Sequence, residues 1–176
     1  GQGQAFFEPL WQVVGGWYGQ DDNGWDYGID SGRKMKGVLV DANIILDIFT
    51  KDPIWVAWSK AQLEHYQTTH ILLINPIVYA EISIRFEDVE ELEAVLKIGG
   101  FQMREIPKEA LFLAGKAFLA YRKRGGSRRS PLPDFFIGAH AAVEKIPLLT
   151  RDATRYKMDF PTVDLVSPEW LKKSSS

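Results

Sequence analysis

The chain has 176 residues, of which 45% are hydrophobic and 25% charged, with a formal net charge of −2 at pH 7, which suits one folded domain with its own core and argues against a wholly disordered chain. The lack of cysteine excludes a disulfide framework, a thiolate zinc site and a cysteine nucleophile, and three histidines leave little for imidazole chemistry. No apolar run approaches the ~18 residues of a membrane span and no signal peptide is recognisable at the first residues, so we expect a cytoplasmic protein.

Residues 1–34 differ in composition from the rest of the chain. They hold half of the six tryptophans, many glycines, five acids and two bases, whereas residues 35–176 hold 18 acids and 19 bases. Pro9 restricts any helix here, but five apolar residues follow helical spacing: Phe6, Phe7, Leu10, Trp11 and Val14. We interpret this aromatic, glycine-rich segment as an added piece whose apolar face binds a groove. The alternatives are an extension that packs on its own domain and a disordered remnant.

The folded domain is predicted to begin near Met35, because an apolar run at 37–41 reads as a buried strand that ends at Asp41. Asp41 is placed to cap a short helix that reaches Ile48. A longer helix is predicted from Pro53 to about Thr68.

A second strand is predicted at 71–75, followed by a helix that starts at Pro76. Helical spacing places Glu81 on the same apolar face as Ile77 and Ile84. A carboxylate on such a face must meet a cation, accept strong hydrogen bonds or stay protonated. The alternative is an ion pair with Arg85, one turn further on.

Two more helices follow, one between Asp88 and the pair Gly99-Gly100 and one from Lys108 to about Arg124, with a strand at 101–106 between them. The alternation of short apolar runs with longer amphipathic ones predicts an α/β fold with a mostly parallel sheet flanked by helices.

The last part of the chain holds two more acids in structured positions. Asp134 follows Pro133 and shares a helical face with apolar residues, so it either points inward or serves as a helix-start acid favoured by the helix dipole. Strands are predicted at 147–150 and 162–166. Asp152 lies just past the first of them, where open α/β sheets bind ligands, or else belongs to a turn.

Four acids therefore stand where strand and helix ends would bring them into one pocket. Converging carboxylates repel one another, and a divalent cation removes the conflict. Oxygen ligands without cysteine or histidine favour Mg²⁺ or Mn²⁺ over zinc. Such ions lower the pKa of bound water and neutralise charge on a phosphodiester. The pattern predicts metal-dependent phosphodiester hydrolysis at Asp41, Glu81, Asp134 and Asp152.

Four segments of the sequence carry these acids in a recognisable context: VLVDANIILD (38–47), NPIVYAE (75–81), LPDFFIGAHA (132–141) and LLTRD (148–152). In order and spacing they resemble the PIN-domain ribonucleases, and most closely the VapC toxins of prokaryotic toxin–antitoxin modules. The resemblance implies a PIN-like three-layer α/β/α domain over 35–170, followed by a polar tail at 171–176. It also implies endonucleolytic cleavage of RNA with Mg²⁺ or Mn²⁺, and control by a cognate VapB-type antitoxin that represses its own operon.

The same resemblance assigns roles to individual residues. Asp41 and Asp134 are expected to dominate metal binding, Glu81 to position the attacking water or act as base, and Asp152 to complete the inner or outer coordination sphere. Asn43 and Thr150 match the supporting polar positions of the family. Asn43 has an alternative role as a helix-start side chain that binds backbone amides.

A basic stretch before Asp134 is predicted to bind RNA phosphates, although a solvated loop after a helix end would look the same. The candidates for RNA contact are Arg122, Lys123, Arg124, Arg128 and Arg129, with Arg151 and Arg155 as further ones.

Two expectations concern partners. A homodimer is implied by the resemblance, with apolar faces around Ile54–Trp58 and 77–86 as contacts, and residues 1–34 resemble the tail of a VapB-type antitoxin. The rival function is a non-catalytic binding module whose acidic pocket holds a cation or a partner's arginine without turnover.

Overall fold

The computed structural model describes residues 36–168, so the predictions for residues 1–34 and for the tail at 171–176 lie outside the described residues. The strands in this range are β1 (Lys36–Val40), β2 (His70–Ile74), β3 (Phe101–Met103), β4 (Leu148–Leu149) and β5 (Leu165–Val166). The helices are α1 (Ala42–Phe49), α2 (Val56–Gln67), α3 (Pro76–Ser83), α4 (Val89–Ile98), α5 (Lys108–Lys123), α6 (Pro133–Glu144) and α7 (Thr154–Lys157).

The five strands form one parallel sheet in the order β3-β2-β1-β4-β5. With helices on both faces it is a three-layer α/β/α fold, which confirms the predicted class. The chain runs outward from β1 through β2 to β3 and then returns to place β4 on the other side of β1. Strand order therefore reverses between β1 and β4, and ligands of such sheets bind at the carboxyl ends of the strands at this switch point.

The core explains why the central strands read as continuous apolar runs. Val38, Leu39 and Val40 of β1 are fully buried, as are Leu148 and Leu149 of β4, because helices cover both faces of the sheet. Gly138 lets α6 approach its neighbour closely. A Cβ at this position would lie 2.3 Å from a ring carbon of Phe160, so any larger side chain would push this ring away.

Helix starts follow the side chains that cap them. Asn75 accepts hydrogen bonds from the backbone N–H groups of Ile77 and Val78 and starts α3, while Asp88 accepts one from Glu91 and starts α4, as predicted. The helix predicted from Pro53 begins only at Val56. Asp52 accepts the N–H groups of Ile54 and Trp55, at 2.8 and 3.0 Å, and holds these residues in a turn.

Three of the strands are shorter than predicted. β4 and β5 each have two residues and β3 has three, because parallel pairing extends only that far at these positions. The short helix α7, which follows β4, was not predicted. None of the helices within residues 36–168 is long and apolar enough to cross a membrane.

Candidate active site

The candidate site lies at the carboxyl edge of the sheet, where β1 and β4 end side by side. Asp41 follows β1 directly, and Thr150 and Asp152 follow β4. Helices α3 and α6 add Glu81 and Asp134. The structure thus brings together the switch point of the sheet and the segments that carry the four predicted acids.

Asp41 is the most tightly held acid of the four. Its side chain is 4% exposed. Its Oδ2 atom accepts three hydrogen bonds, from the hydroxyls of Thr150 and Tyr156, each at 2.8 Å, and from the amide of Asn43 at 3.1 Å. Burial raises the pKa of Asp41 although the hydroxyls of Tyr156 and Thr150 oppose the shift. Asp41 stands at the N-cap position of α1, as predicted, but its side chain makes no capping hydrogen bond to the helix.

Asn43 and Thr150 connect the ends of the two strands. The Asn43 amide donates to Thr150 Oγ1 at 3.2 Å, and its Oδ1 accepts from the backbone N–H of Arg151. Thr150 Oγ1 also accepts from the backbone N–H of Asp152 at 3.1 Å. Asn43 therefore binds the loop after β4, and these two side chains fix the orientation of Asp41 relative to Asp152.

Tyr156 is a site residue that the sequence interpretation missed. It lies in α7, is fully buried, and donates its hydroxyl hydrogen to Asp41. Burial and the negative charges of Asp41 and Asp134 raise its pKa well above the ordinary value, so the phenol stays protonated and remains a donor. No local pattern in the sequence signals this contact, because its partner lies 115 positions away.

The pKa values of Glu81 and Asp134 are both raised, by burial and by repulsion from neighbouring carboxylates. Burial raises the pKa of Glu81 to about 7, and repulsion from Asp41 and Asp134 adds to the shift. Burial also raises the pKa of Asp134, with Asp152 acting in the same direction. No ion pair joins Glu81 to Arg85 within residues 36–168, so the predicted alternative for Glu81 is absent there.

A buried hydrogen bond holds the two helices that present Glu81 and Asp134. Asn75, at the start of α3, lies 3.2 Å from Nδ1 of His140 on α6, and both side chains are fully buried. Burial lowers the pKa of His140, which favours the neutral ring. A neutral Nδ1 accepts the amide hydrogen of Asn75. This contact fixes α3 against α6 on the side of the sheet where the acids meet.

Arg155 lies between Asp134 and Asp152. Its Nε atom forms an ion pair with Oδ2 of Asp152 at 2.7 Å, and its Nη1 atom donates to Oδ2 and Oδ1 of Asp134 at 3.2 and 3.4 Å. Thr154 donates to the other oxygen of Asp152. Arg155, proposed from the sequence as an RNA contact, thus acts here as a cation for two of the acids.

The four acids offer the oxygen ligands that a divalent metal ion prefers, but their side chains are not arranged around a common point. Between residues 36 and 168, no three acidic or histidine side chains are grouped closely enough to hold an ion. The donors are nevertheless all oxygen, which suits Mg²⁺ or Mn²⁺. The repulsion that raises the pKa of Glu81 is what a bound cation would relieve. Binding would need the carboxylates to close on the ion and Asp134 and Asp152 to separate from Arg155.

The predicted RNA-contact residues fall into two groups. Members of the first group make a polar contact within the protein. Arg122 donates to the carbonyl of Arg128, Arg124 pairs with Asp159, and Arg151 pairs with Asp47. The other candidates of the basic stretch are exposed on its surface: Lys123, Arg128 and Arg129.

A separate cavity of about 360 Å³ lies beside the edge strand β3. None of the predicted site residues lines it. Its lining residues are Ile74, Tyr79, Glu93, Ala94, Leu96, Lys97, Phe101 and Met103.

The chain is similar to a known protein family and to several solved structures. The family model for the PIN domain matches residues 38–161. The fold is similar to VapBC2 from Rickettsia felis bound to a promoter DNA fragment, with a TM-score of 0.57, 19% identity and coverage of 74% of this chain and 97% of that chain. It is also similar to a toxin–antitoxin complex from Klebsiella pneumoniae, with a TM-score of 0.56, 20% identity and coverage of 75% and 98%.

A third similar structure is VapBC-1 from nontypeable Haemophilus influenzae, with a TM-score of 0.57, 18% identity and coverage of 74% of this chain and 96% of that chain. At these identities the likeness establishes the fold. No curated protein matches the chain.

Proposed function

Because the chain belongs to the PIN-domain family, whose model covers residues 38–161, we propose that it is a toxin-type endoribonuclease that hydrolyses RNA with Mg²⁺ or Mn²⁺ and is restrained by a VapB-type antitoxin. PIN domains are generally nucleases that use divalent metal ions. The observation that carries the proposal is the Asp41 cluster. A buried carboxylate is oriented by three neutral donors and repelled by neighbouring acids, at the switch point of a parallel sheet.

We assign the metal ligands to the acidic quartet Asp41, Glu81, Asp134 and Asp152. A bound ion would activate water and neutralise charge developing on the phosphodiester. Thr150, Tyr156 and Asn43 all donate to Oδ2 of Asp41, which orients the carboxylate and leaves its Oδ1 atom unused by these three donors. Glu81, whose pKa lies near 7, is suited to orient the attacking water or accept its proton.

RNA binding is assigned to the exposed part of the basic stretch. Lys123, Arg128 and Arg129 provide sequence-independent attraction to phosphates that weakens with salt. Replacing these three residues by glutamine should weaken RNA binding and reduce its salt dependence. A matched Arg151→Gln variant should leave the salt dependence of RNA binding unchanged, because Arg151 already pairs with Asp47.

The partners follow from the same family assignment. The similar structures include complexes of a toxin with its antitoxin, some of them bound to DNA, which supports an antitoxin of the VapB type for this chain. We propose that residues 1–34 are an antitoxin-like segment. If they inhibit in cis, their deletion should raise the rate of RNA cleavage, and an unchanged rate would exclude this inhibition.

A homodimer is also proposed. Ile54 and Ile84 are 75% and 81% exposed, in the two segments predicted to form the contact. Charged substitutions at both positions should shift the molar mass measured by light scattering towards that of the monomer. An unchanged mass would place the contact elsewhere or show that the chain is a monomer.

The test of the proposed activity is cleavage of total bacterial RNA by the whole chain with Mg²⁺ or Mn²⁺ and with EDTA, before and after deletion of residues 1–34. We expect cleavage that needs the metal and that disappears in Asp134→Asn. The alternative, a binding module without turnover, is favoured by one observation, the guanidinium group that Asp134 and Asp152 already hold. Metal binding without cleavage by either form of the chain would support that alternative.

A further inference from the structure

Arg155 contacts two of the four acids at once, one near it in sequence and one 21 residues away. Its guanidinium group reaches Asp152 one turn earlier in the chain and Asp134 at the start of α6. Its positive charge opposes the burial that raises the pKa of Asp134, and Asp134 in turn raises the pKa of Arg155. The two carboxylates are therefore balanced by a side chain of the chain itself.

We propose that Arg155 is an internal counter-ion that occupies the place of a divalent cation between Asp134 and Asp152, and that it leaves both carboxylates when the metal binds. This inference rests on the proposed metal-dependent function. It explains why the described residues contain four suitable acids without a ready-made group of three that could hold an ion. Metal affinity then reflects a competition between the dication and the guanidinium group.

The surroundings of Arg155 allow it to leave. Its side chain is 60% exposed, and the one-turn helix α7 that carries it lies at the surface on this side. Rotation about its side-chain bonds would move the charge into water. Arg151 provides a contrast, because it is 31% exposed and is fixed between Asp47, Asp52 and the ring of Trp55.

The size of the effect follows from the exposure of the contacts. Two exposed ion pairs of ordinary strength oppose metal binding by a factor of about 2 to 30, with a central value of about five. Arg155→Gln should therefore bind Mn²⁺ about fivefold more tightly than the unchanged chain. Arg155→Lys keeps the charge but loses the planar two-sided contact, so its affinity should lie between the two.

Arg124→Gln is the matched control. Arg124 is also partly exposed, at 43%, and its substitution removes the same charge, but its partner is Asp159, which is not one of the four acids. A general effect of net charge on cation binding would appear equally in Arg124→Gln and Arg155→Gln. A specific competition at the acidic pocket would appear in Arg155→Gln alone.

The experiment is isothermal titration of the metal-free whole chain and the three variants with MnCl₂ at fixed ionic strength, with thermal denaturation to confirm folding. Tighter binding by Arg155→Gln than by both Arg124→Gln and the unchanged chain is the expected result. Equal or weaker binding by Arg155→Gln would overturn the inference and leave the metal site standing. The absence of Mn²⁺ binding by every form would overturn both this inference and the metal-dependent function.

Discussion

Two buried aspartates, Asp41 and Asp47, stand six residues apart at the two ends of the same short helix, and their surroundings differ in charge. Asp47 is 2% exposed, accepts a hydrogen bond from Ser59 at 2.7 Å and lies 3.4 Å from Nη1 of Arg151. Asp41 is 4% exposed and is held by three neutral donors. No arginine or lysine within residues 36–168 pairs with it.

The difference separates a structural carboxylate from one suited to bind a cation. Burial raises the pKa of both side chains. Arg151 opposes the shift at Asp47 with a positive charge, and it ties α1 to α2 through Asp52 and Trp55. At Asp41 the charge of Asp134 is negative and adds to the shift. A buried carboxylate that is oriented by neutral donors and paired with no side-chain cation is suited to bind a metal cation from solution.

Asp41→Asn should have the largest effect on activity. It removes a negative charge expected to bind the metal, whose contribution to transition-state stabilisation is several kcal/mol, so RNA cleavage should fall about a thousandfold or more. The substitution removes a carboxylate whose pKa burial raises and, unlike a change at Asp47, leaves no arginine without its partner, so thermal stability in EDTA should not decrease. Initial rates and melting temperatures measure the two effects. A folded Asp41→Asn variant that keeps its rate would contradict the comparison.

Asp47→Asn should show the opposite pattern. The substitution leaves Arg151 without its nearest buried partner, so the free energy of unfolding should fall by about 1–3 kcal/mol. The rate of RNA cleavage should stay within a few-fold of the unchanged chain at a temperature where both are folded. Urea denaturation gives the stability. If this variant is stable but inactive, Asp47 belongs to the catalytic machinery and the contrast with Asp41 fails.

Tyr156→Phe tests whether the neutral donors around Asp41 matter. The ring and its packing remain, but Asp41 loses the hydroxyl at 2.8 Å and keeps Thr150 and Asn43. Loss of a residue that orients a metal ligand costs about 10–100-fold in metal affinity or rate, and we expect a decrease in this range. Mn²⁺ titration and cleavage rates provide the measurement. Tyr66→Phe, a change remote from the acids, serves as the control.

The pH dependence of stability sharpens the contrast in charge. In metal-free protein the pKa of Glu81 is raised from 4.5 to about 7, so the folded state binds a proton more tightly than the unfolded state. The contribution of Glu81 to the free energy of unfolding is therefore lost as pH rises from about 4.5 to about 7, with a slope of at most about 1.4 kcal/mol per pH unit.

Glu81→Gln removes this contribution. Urea denaturation in EDTA between pH 5 and pH 8 should show that the stability difference between Glu81→Gln and the unchanged chain grows with pH. A stability difference that stays constant with pH would mean that Glu81 has an ordinary pKa and that neither burial nor repulsion from Asp41 and Asp134 raises it.

Most strands and helix starts around the site could be predicted from the sequence, because they depend on local patterns. The apolar run before Asp41, the start of α3 at Pro76 and the Asp88 start of α4 each depend on a few neighbouring residues, and the structure has them as predicted. Thr150 and Asn43 were placed beside Asp41 by family resemblance, and they contact it.

The parts that escaped prediction depend on contacts between distant segments. Tyr156 reaches Asp41 across 115 positions, and Arg151 reaches Asp47 from the loop after β4. No periodicity or spacing in one sequence reports such contacts. For the same reason the ion pairs of Arg151 with Asp47 and of Arg155 with Asp134 and Asp152 escaped prediction.

The most direct test of the account compares RNA cleavage by the chain without residues 1–34 and by its Asp41→Asn and Asp47→Asn variants, with Mn²⁺ and with EDTA, followed by sequencing of the new RNA ends. We expect discrete metal-dependent ends that are the same for the unchanged sequence and Asp47→Asn and absent for Asp41→Asn. The same ends from a folded Asp41→Asn variant, or their loss from a folded Asp47→Asn variant, would contradict it.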